Sequence, residues 1–249
     1  MRVADLAKPL AAFLVLFMLY HAAEYAFLFR QSIPGFLGGM GLFFAFVWWF
    51  IEKQDDGNRG GWGLASVPFG RHLVRGLALG LGYAGIAFLF SLKLGLVKVV
   101  GLPGAGELIG QLALLSFGVL LSSFSEDILT RCLIYRYGRQ KIGYQALVFV
   151  SSFVYVLNHI YRLADGWLLL GHLFVLGILL AVPLMRTGSA GATLGIHWGM
   201  NIVYQLVSHV IKTEEGEGAV SPLFIQVALE AAMVPVVIYL FSKRAGQPV

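Results

Sequence analysis

Long apolar segments separated by short polar turns dominate the pattern of residues along this chain. A helix needs about 20 predominantly apolar residues to cross the hydrocarbon core of a bilayer, and runs of this kind recur along most of the sequence. The breaks between them, at residues 31–34, 101–104 and 139–143, contain turn-forming or charged residues. The pattern predicts spans at 9–29, 33–51, 76–100, 108–130, 144–161, 166–185, 189–211 and 222–242.

The composition agrees with this pattern. Hydrophobic residues make up 58% of the 249-residue chain and charged residues 12%, whereas soluble domains contain about 25% charged residues. We predict an all-α, polytopic membrane protein with about eight transmembrane helices in a single bundle around an intramembrane polar cavity. We expect one transmembrane domain over residues 1–249, with its functional core over 108–211.

The net charge of +5 indicates an orientation in the lipid bilayer rather than a nucleic-acid partner, because the basic residues lie mostly at helix ends. With both termini in the cytoplasm, twelve of the 18 Lys and Arg residues face inward, five face outward, and Arg131 lies in the membrane. We therefore expect an integral, multi-pass protein, assigned here to a bacterial inner membrane, and the pattern indicates no particular oligomeric state. The inward set is Arg2, Lys8, Lys53, Arg59, Arg71, Arg75, Arg136, Arg139, Lys141, Arg186, Lys243 and Arg244.

Three short polar motifs interrupt the apolar segments. Ionisable side chains inside a bilayer are costly, so each motif is a hypothesis for a functional site. Together they offer carboxylates, imidazoles, a carboxamide and a guanidinium, which are groups suited to activating water and stabilising an oxyanion. The motifs are Glu126-Asp127-x-x-x-Arg131, Tyr155-x-x-x-His159 and His197-x-x-x-Asn201.

The spacing within the first motif predicts a division of labour. Asp127 and Arg131 are four residues apart on one helix face, in the favourable order for an ion pair. Glu126 is rotated by about 100° from Asp127 and is left free for chemistry. Counted from the predicted cytoplasmic turns, the three motifs reach similar depths in the membrane, so we expect their side chains to converge.

The order of these motifs resembles the CPBP family (CAAX protease and bacteriocin-processing, also called Abi), which includes the type II CAAX prenyl endopeptidases. The family pattern is EExxxR, then FxxxH, then HxxxN, each on a membrane helix. This chain departs from it at two positions, where Asp127 replaces the second Glu and Tyr155 replaces the Phe. Both substitutions keep the groups assigned to chemistry but weaken a match to the CAAX subgroup and its substrate.

The resemblance implies an intramembrane endopeptidase of the glutamic type that needs no cofactor. In this interpretation, Glu126 and His159 activate a water, and His197 and Asn201 form the oxyanion hole. Asp127, Arg131 and Tyr155 support these four residues. The expected partner is a membrane-associated protein or peptide whose peptide bond is hydrolysed.

Two alternatives stay open from the sequence. A zinc protease could assemble its ligands from Glu126, His159 and His197, although no HExxH motif is present. A non-catalytic scaffold or bacteriocin-immunity protein of the same fold would use the polar residues only to hold helices together. Retention of all four expected catalytic residues favours the enzyme.

Other polar residues in the predicted spans are left without a chemical role. We interpret His21 with Glu24, and separately His172, as helix-packing residues, since interhelical hydrogen bonds are common in membrane bundles. His209 lies near the outer end of its span, and Glu230 is unassigned.

Overall fold

The structure is a computed structural model that describes residues 4–216 and 220–242. Arg2, Lys243 and Arg244, which entered the charge argument, lie outside these residues. Within them, helices follow one another along the chain with short connections. The helices are α1 (Ala4–Leu28), α2 (Ile33–Gln54), α3 (Phe69–Lys93), α4 (Ala105–Asp127), α5 (Leu133–Gly138), α6 (Tyr144–Asn158), α7 (Trp167–Thr187), α8 (Ala190–Gln205) and α9 (Pro222–Leu240), and the strands are β1 (Val97–Gly101) and β2 (Lys212–Glu215).

The predicted all-α, polytopic membrane fold is confirmed. Six helical segments of the described chain are long and apolar enough to cross a membrane. One of them is a continuous rod over Ala105–Gly138, in which a π-helical segment at Ile128–Cys132 joins α4 to α5. The six are Ala7–Leu28, Ile33–Gln54, Phe69–Lys93, Ala105–Gly138, Trp167–Thr187 and Pro222–Leu240.

About eight spans were predicted, and two of them, α6 and α8, are not among the six long apolar segments of the described residues. Helix α6 has 15 residues, about 22 Å at 1.5 Å per residue, which is shorter than the hydrocarbon core of about 30 Å. Helix α8 has 16 residues before a π-helical segment at Leu206–Val210, and its polar side chains His197, Asn201 and Gln205 lower its hydropathy. Helix α8 is buried by its neighbours along most of its length, whereas α6 keeps an exposed apolar face that includes Phe149, Phe153 and Leu157.

A two-stranded antiparallel sheet was not predicted. Strand β1 pairs with β2 in a register that sets Val97 opposite Glu215 and Val99 opposite Thr213. The predicted span 76–100 therefore ends early, because the chain leaves α3 at Lys93 and turns through Gly95, whose φ is +67°. The sheet ties the α3–α4 connection to the α8–α9 connection on one side of the bundle.

Glycines bring α3 and α8 into direct backbone contact. Gly191, Gly195 and Gly199 lie one turn apart on α8 and face α3. A Cβ at Gly195 would collide with the carbonyl oxygen of Leu73, and one at Gly199 would lie 2.7 Å from the carbonyl oxygen of Leu77. This small-xxx-small packing leaves the opposite face of α8, which carries His197, to point toward α4.

The polar loop after α2 is anchored rather than free. Trp62 is fully buried and donates its indole N–H to Asp55 Oδ2 at 2.8 Å. Arg136 of α5 donates to both carboxylate oxygens of Asp55, at 2.7 and 2.8 Å. The loop is therefore fastened to the end of the rod that carries the first motif.

Candidate active site

The first motif lies where α4 changes its winding. Glu126 and Asp127 are the last two residues of α4, and the π-helical segment begins at the next residue. The Thr130 hydroxyl donates to the Glu126 carbonyl oxygen at 2.7 Å, and Ser151 of α6 donates to the Thr130 carbonyl oxygen at 2.8 Å. π-Helical turns occur frequently at functional sites, and here side-chain donors satisfy the carbonyl groups of the distorted turn.

The predicted ion pair between Asp127 and Arg131 is confirmed. Arg131 Nη1 lies 2.6 Å from Asp127 Oδ1 and also donates to the Thr130 hydroxyl at 3.0 Å. Both members of the pair are buried, and the guanidinium carbon lies 4.3 Å from the centre of the Tyr155 ring. Tyr155, on α6, thus packs its ring against the Arg131 cation.

His159 occupies the end of α6 rather than its interior. The helix ends at Asn158, and His159 adopts φ −88° and ψ 50°, so the predicted helix over 144–161 is too long. Its Nδ1 donates to the Tyr155 carbonyl oxygen at 2.8 Å, since a carbonyl can only accept. This bond satisfies a free carbonyl at the helix end. It also turns Nε2 toward Glu126 Oε1, 3.7 Å away.

His197 bridges the two carboxylates of the first motif. Its Nε2 lies 3.5 Å from Glu126 Oε2, and its Nδ1 donates to Asp127 Oδ1 at 3.1 Å. Asn201, one turn further along α8, donates from Nδ2 to the Ser123 hydroxyl at 2.9 Å. The structure therefore brings Glu126, His159 and His197 together as predicted, while Asn201 lies beside them and contacts Ser123.

Asn158 was not predicted from the sequence as a site residue. This residue is 2% exposed, and its Nδ2 donates to Glu126 Oε1 at 3.1 Å. Its Oδ1 is buried and has no hydrogen-bond partner among the described residues. The available signal was a carboxamide in an apolar helix directly before His159, but the spacing does not reveal that it faces Glu126.

Glu126 differs from Asp127 in its surroundings. Among the described residues, no lysine or arginine pairs with Glu126, whose neighbours are Asn158, His159 and His197. The Glu126 side chain is 8% exposed, whereas the His159 side chain is 17% exposed. The cluster is therefore partly accessible on the side of His159. Two apolar grooves on the outside of the bundle are lined by other residues and are separate from it.

The zinc alternative can be compared with this geometry. Within residues 4–216 and 220–242, no three His, Cys, Asp or Glu side chains are arranged to hold a metal ion. Glu126 faces each histidine through a different carboxylate oxygen, and His197 is also bonded to Asp127.

The remaining polar residues form two pairs outside this cluster. His21 Nδ1 lies 3.0 Å from Glu24 Oε2 within α1. His172 Nδ1 lies 3.1 Å from Glu230 Oε2 and joins α7 to α9. The contact of His172 joins two helices, as expected for a packing residue, and gives Glu230 a partner, whereas the contact between His21 and Glu24 lies within one helix. His209 lies in the π-helical segment after α8 and is exposed.

Fold and site together define a membrane-embedded protein with a buried carboxylate–histidine cluster. Residues 108–203 match the family model described as "Type II CAAX prenyl endopeptidase Rce1-like". The matched segment contains all three motifs, so the resemblance to the CPBP and CAAX protease family is confirmed over this part of the chain. Neither the curated proteins nor the solved structures give a match. The family match supports a membrane protease of the CAAX endopeptidase type.

Proposed function

We propose that this protein is a glutamic-type intramembrane endopeptidase that hydrolyses a peptide bond of a membrane-associated protein or peptide. The observation that carries the proposal is the placement of Glu126. In the described cluster, the Arg131 guanidinium pairs with Asp127. Glu126 lies between His159 and His197 instead. A carboxylate without a lysine or arginine partner, held between two imidazoles, suits a general base that must also return a proton.

The proposed reaction begins with a water between Glu126 Oε1 and His159 Nε2. Their separation of 3.7 Å is too long for a direct hydrogen bond but lets one water contact both atoms. Glu126 takes a proton from the water as the water oxygen bonds to the substrate carbonyl carbon. The tetrahedral intermediate then collapses, the C–N bond breaks, and Glu126 returns the proton to the leaving nitrogen.

His197 and Asn201 are proposed to stabilise the oxyanion. Asn201 has a second N–H besides the one given to Ser123. His197 donates from Nδ1 to Asp127 and must carry a second proton on Nε2 to serve the oxyanion. Losing one oxyanion donor typically costs about 10²–10³ in rate. We therefore expect Asn201→Ala to be less severe than Glu126→Gln or His159→Ala, which should abolish detectable activity.

The deciding experiment compares cells that carry wild type or Glu126→Gln at equal expression, by mapping the N- and C-terminal peptides of membrane and secreted proteins. New termini present only with wild type would establish proteolysis and identify the substrate. Glu230→Gln is the matched control, because it makes the same chemical change at a buried glutamate outside the cluster. It should leave the new termini unchanged.

Two other outcomes would replace the proposal. Identical termini with wild type and Glu126→Gln, while the variant still supports any deletion phenotype, would favour the non-catalytic scaffold. The metal question is decided on purified protein, using a peptide that spans a mapped cleavage site. Turnover should be unaffected by 1,10-phenanthroline. A loss of turnover that Zn²⁺ restores would establish the zinc alternative instead.

A further inference from the structure

We infer that Asn158 is a further catalytic residue, whose Oδ1 accepts the N–H of the scissile amide while its Nδ2 holds Glu126. The inference rests on the proposed function. It begins with the single contact that Asn158 makes through Nδ2 to Glu126 Oε1, at 3.1 Å. The same carboxylate oxygen faces His159 Nε2. Asn158 therefore adjoins the proposed position of the water.

The other half of the carboxamide has no partner. Asn158 Oδ1 is buried and accepts no hydrogen bond from any described residue. An unsatisfied buried acceptor is unfavourable, and such atoms call for a specific explanation. Oδ1 and Nδ2 are bonded to the same carbon and lie about 2.2 Å apart. A donor that reaches Oδ1 on the side of Nδ2 therefore lies close to the Glu126 carboxylate.

The count of donors and acceptors identifies this donor. His159 gives its Nδ1 proton to the Tyr155 carbonyl oxygen, so in the neutral ring Nε2 is an acceptor. The two O–H groups of the water are then taken by Glu126 and His159. A peptide bond offers one acceptor, its carbonyl oxygen, and one donor, its N–H. His197 and Asn201 serve the carbonyl oxygen, which leaves the N–H for Asn158 Oδ1.

This arrangement also serves proton return. A scissile nitrogen bound at Asn158 Oδ1 lies beside the carboxylate that takes the proton from the water. Glu126 can then deliver that proton to the nitrogen as the C–N bond breaks. One carboxamide thus positions the base and the leaving group with respect to each other.

The test uses a pair of substrates with purified enzyme. One is an internally quenched peptide that spans the mapped cleavage site, and the other is its ester analogue, in which oxygen replaces the scissile N–H. Asn158→Leu removes both polar atoms at similar volume. It should lower kcat/KM for the amide by about 10²-fold, but for the ester by less than about tenfold, since the ester has no N–H to lose.

Ser152→Ala provides the matched control on the same helix. It removes a buried hydroxyl that donates to the Val148 carbonyl oxygen, away from Glu126, and should change both rates by less than about twofold. Equal losses for amide and ester in Asn158→Leu would overturn the inference and leave Asn158 a structural residue. Wild type that cleaves neither substrate would instead refute the proposed function, and the catalytic assignment of Asn158 with it.

A second measurement tests the underlying contact without cleavage. The chain contains three asparagines, Asn58, Asn158 and Asn201, so selective ¹⁵N-asparagine labelling gives three resolvable pairs of side-chain amide signals. Glu126→Gln should shift the Asn158 pair and leave the Asn58 pair, which lies in the loop after α2, unchanged. An unshifted Asn158 pair would remove the contact on which the inference rests, whatever the cleavage result.

Discussion

Neighbouring carboxylates of the first motif have different partners. Asp127 accepts from Arg131 and from His197, whereas Glu126 contacts Asn158 and faces both histidines. The rotation of about 100° between adjacent helical residues is the local cause of this difference. One carboxylate therefore holds the cluster together, and the other faces the space next to His159.

Removing the cation of the buried pair should destabilise the protein strongly. Arg131→Met leaves the buried charge of Asp127 without its main partner, and breaking a buried pair in this way costs about 3–5 kcal/mol. We expect a clear fall in the apparent melting temperature in detergent. The double variant Asp127→Asn with Arg131→Met should recover part of the loss, because it leaves no buried charge unpaired.

The control for this prediction is an exposed pair with similar chemistry. Arg162 Nε lies 3.2 Å from Asp165 Oδ2, and both side chains are 47% exposed. Arg162→Met should therefore cost about 0–1 kcal/mol. Equal melting temperatures for Arg131→Met and Arg162→Met would show that the Arg131 pair contributes nothing to stability.

Helix packing decides where α8 presents His197. The three glycines on the α3-facing side allow the two backbones to touch, and His197 lies on the opposite side of the same helix. Any increase in the α3–α8 separation would push α8 toward α4 and change the distance between His197 and Glu126. The small residues thus set the geometry of the site from a distance.

We predict that Gly195→Ala lowers both stability and activity. The added Cβ would collide with the carbonyl oxygen of Leu73, which as backbone cannot move out of the way. Overpacking of this kind typically costs about 1–3 kcal/mol. Melting temperature in detergent and the yield of wild-type termini should both fall.

Gly82 on α3 offers the matched comparison, because a Cβ there would meet no atom within 4 Å. Gly82→Ala should be neutral or stabilising by up to about 1 kcal/mol, since alanine favours a helix more than glycine does. If Gly195→Ala behaves like Gly82→Ala, then close contact between α3 and α8 does not position His197.

The connections between helices lie on two sides of the bundle, and the distribution of Lys and Arg predicts which side faces the cytoplasm. Strand pairing places the β1 and β2 connections on the same side. The loop after α2 lies across the membrane from them, since α3 separates it from β1. The positive-inside rule assigns this loop to the cytoplasm.

Cysteine labelling of intact cells tests this orientation. The only cysteine of the chain, Cys132, is fully buried and should give no background. An impermeant maleimide should label Glu214→Cys, on exposed β2, but not Val67→Cys, in the exposed loop after α2. Both should react after lysis. Labelling of Val67→Cys alone in intact cells would reverse the predicted topology.

Local features of the site were predictable because they depend on residues close together in the chain. The 3.6-residue helical period places Asp127 next to Arg131, and the length of the apolar segments indicates membrane helices. The sequence alone therefore determined the fold class, the three motifs and the ion pair. The convergence of Glu126, His159 and His197 also followed, because similar distances from predicted turns place the motifs at similar depth.

Tertiary structure decided the features that depend on distant parts of the chain. The contact between Asn158 and Glu126, 32 residues apart in the chain, joins two helices. The pairing of β1 with β2 likewise joins segments more than a hundred residues apart, at Val97 and Glu215. No local period encodes such contacts, because they arise only when packing has fixed which helix faces which.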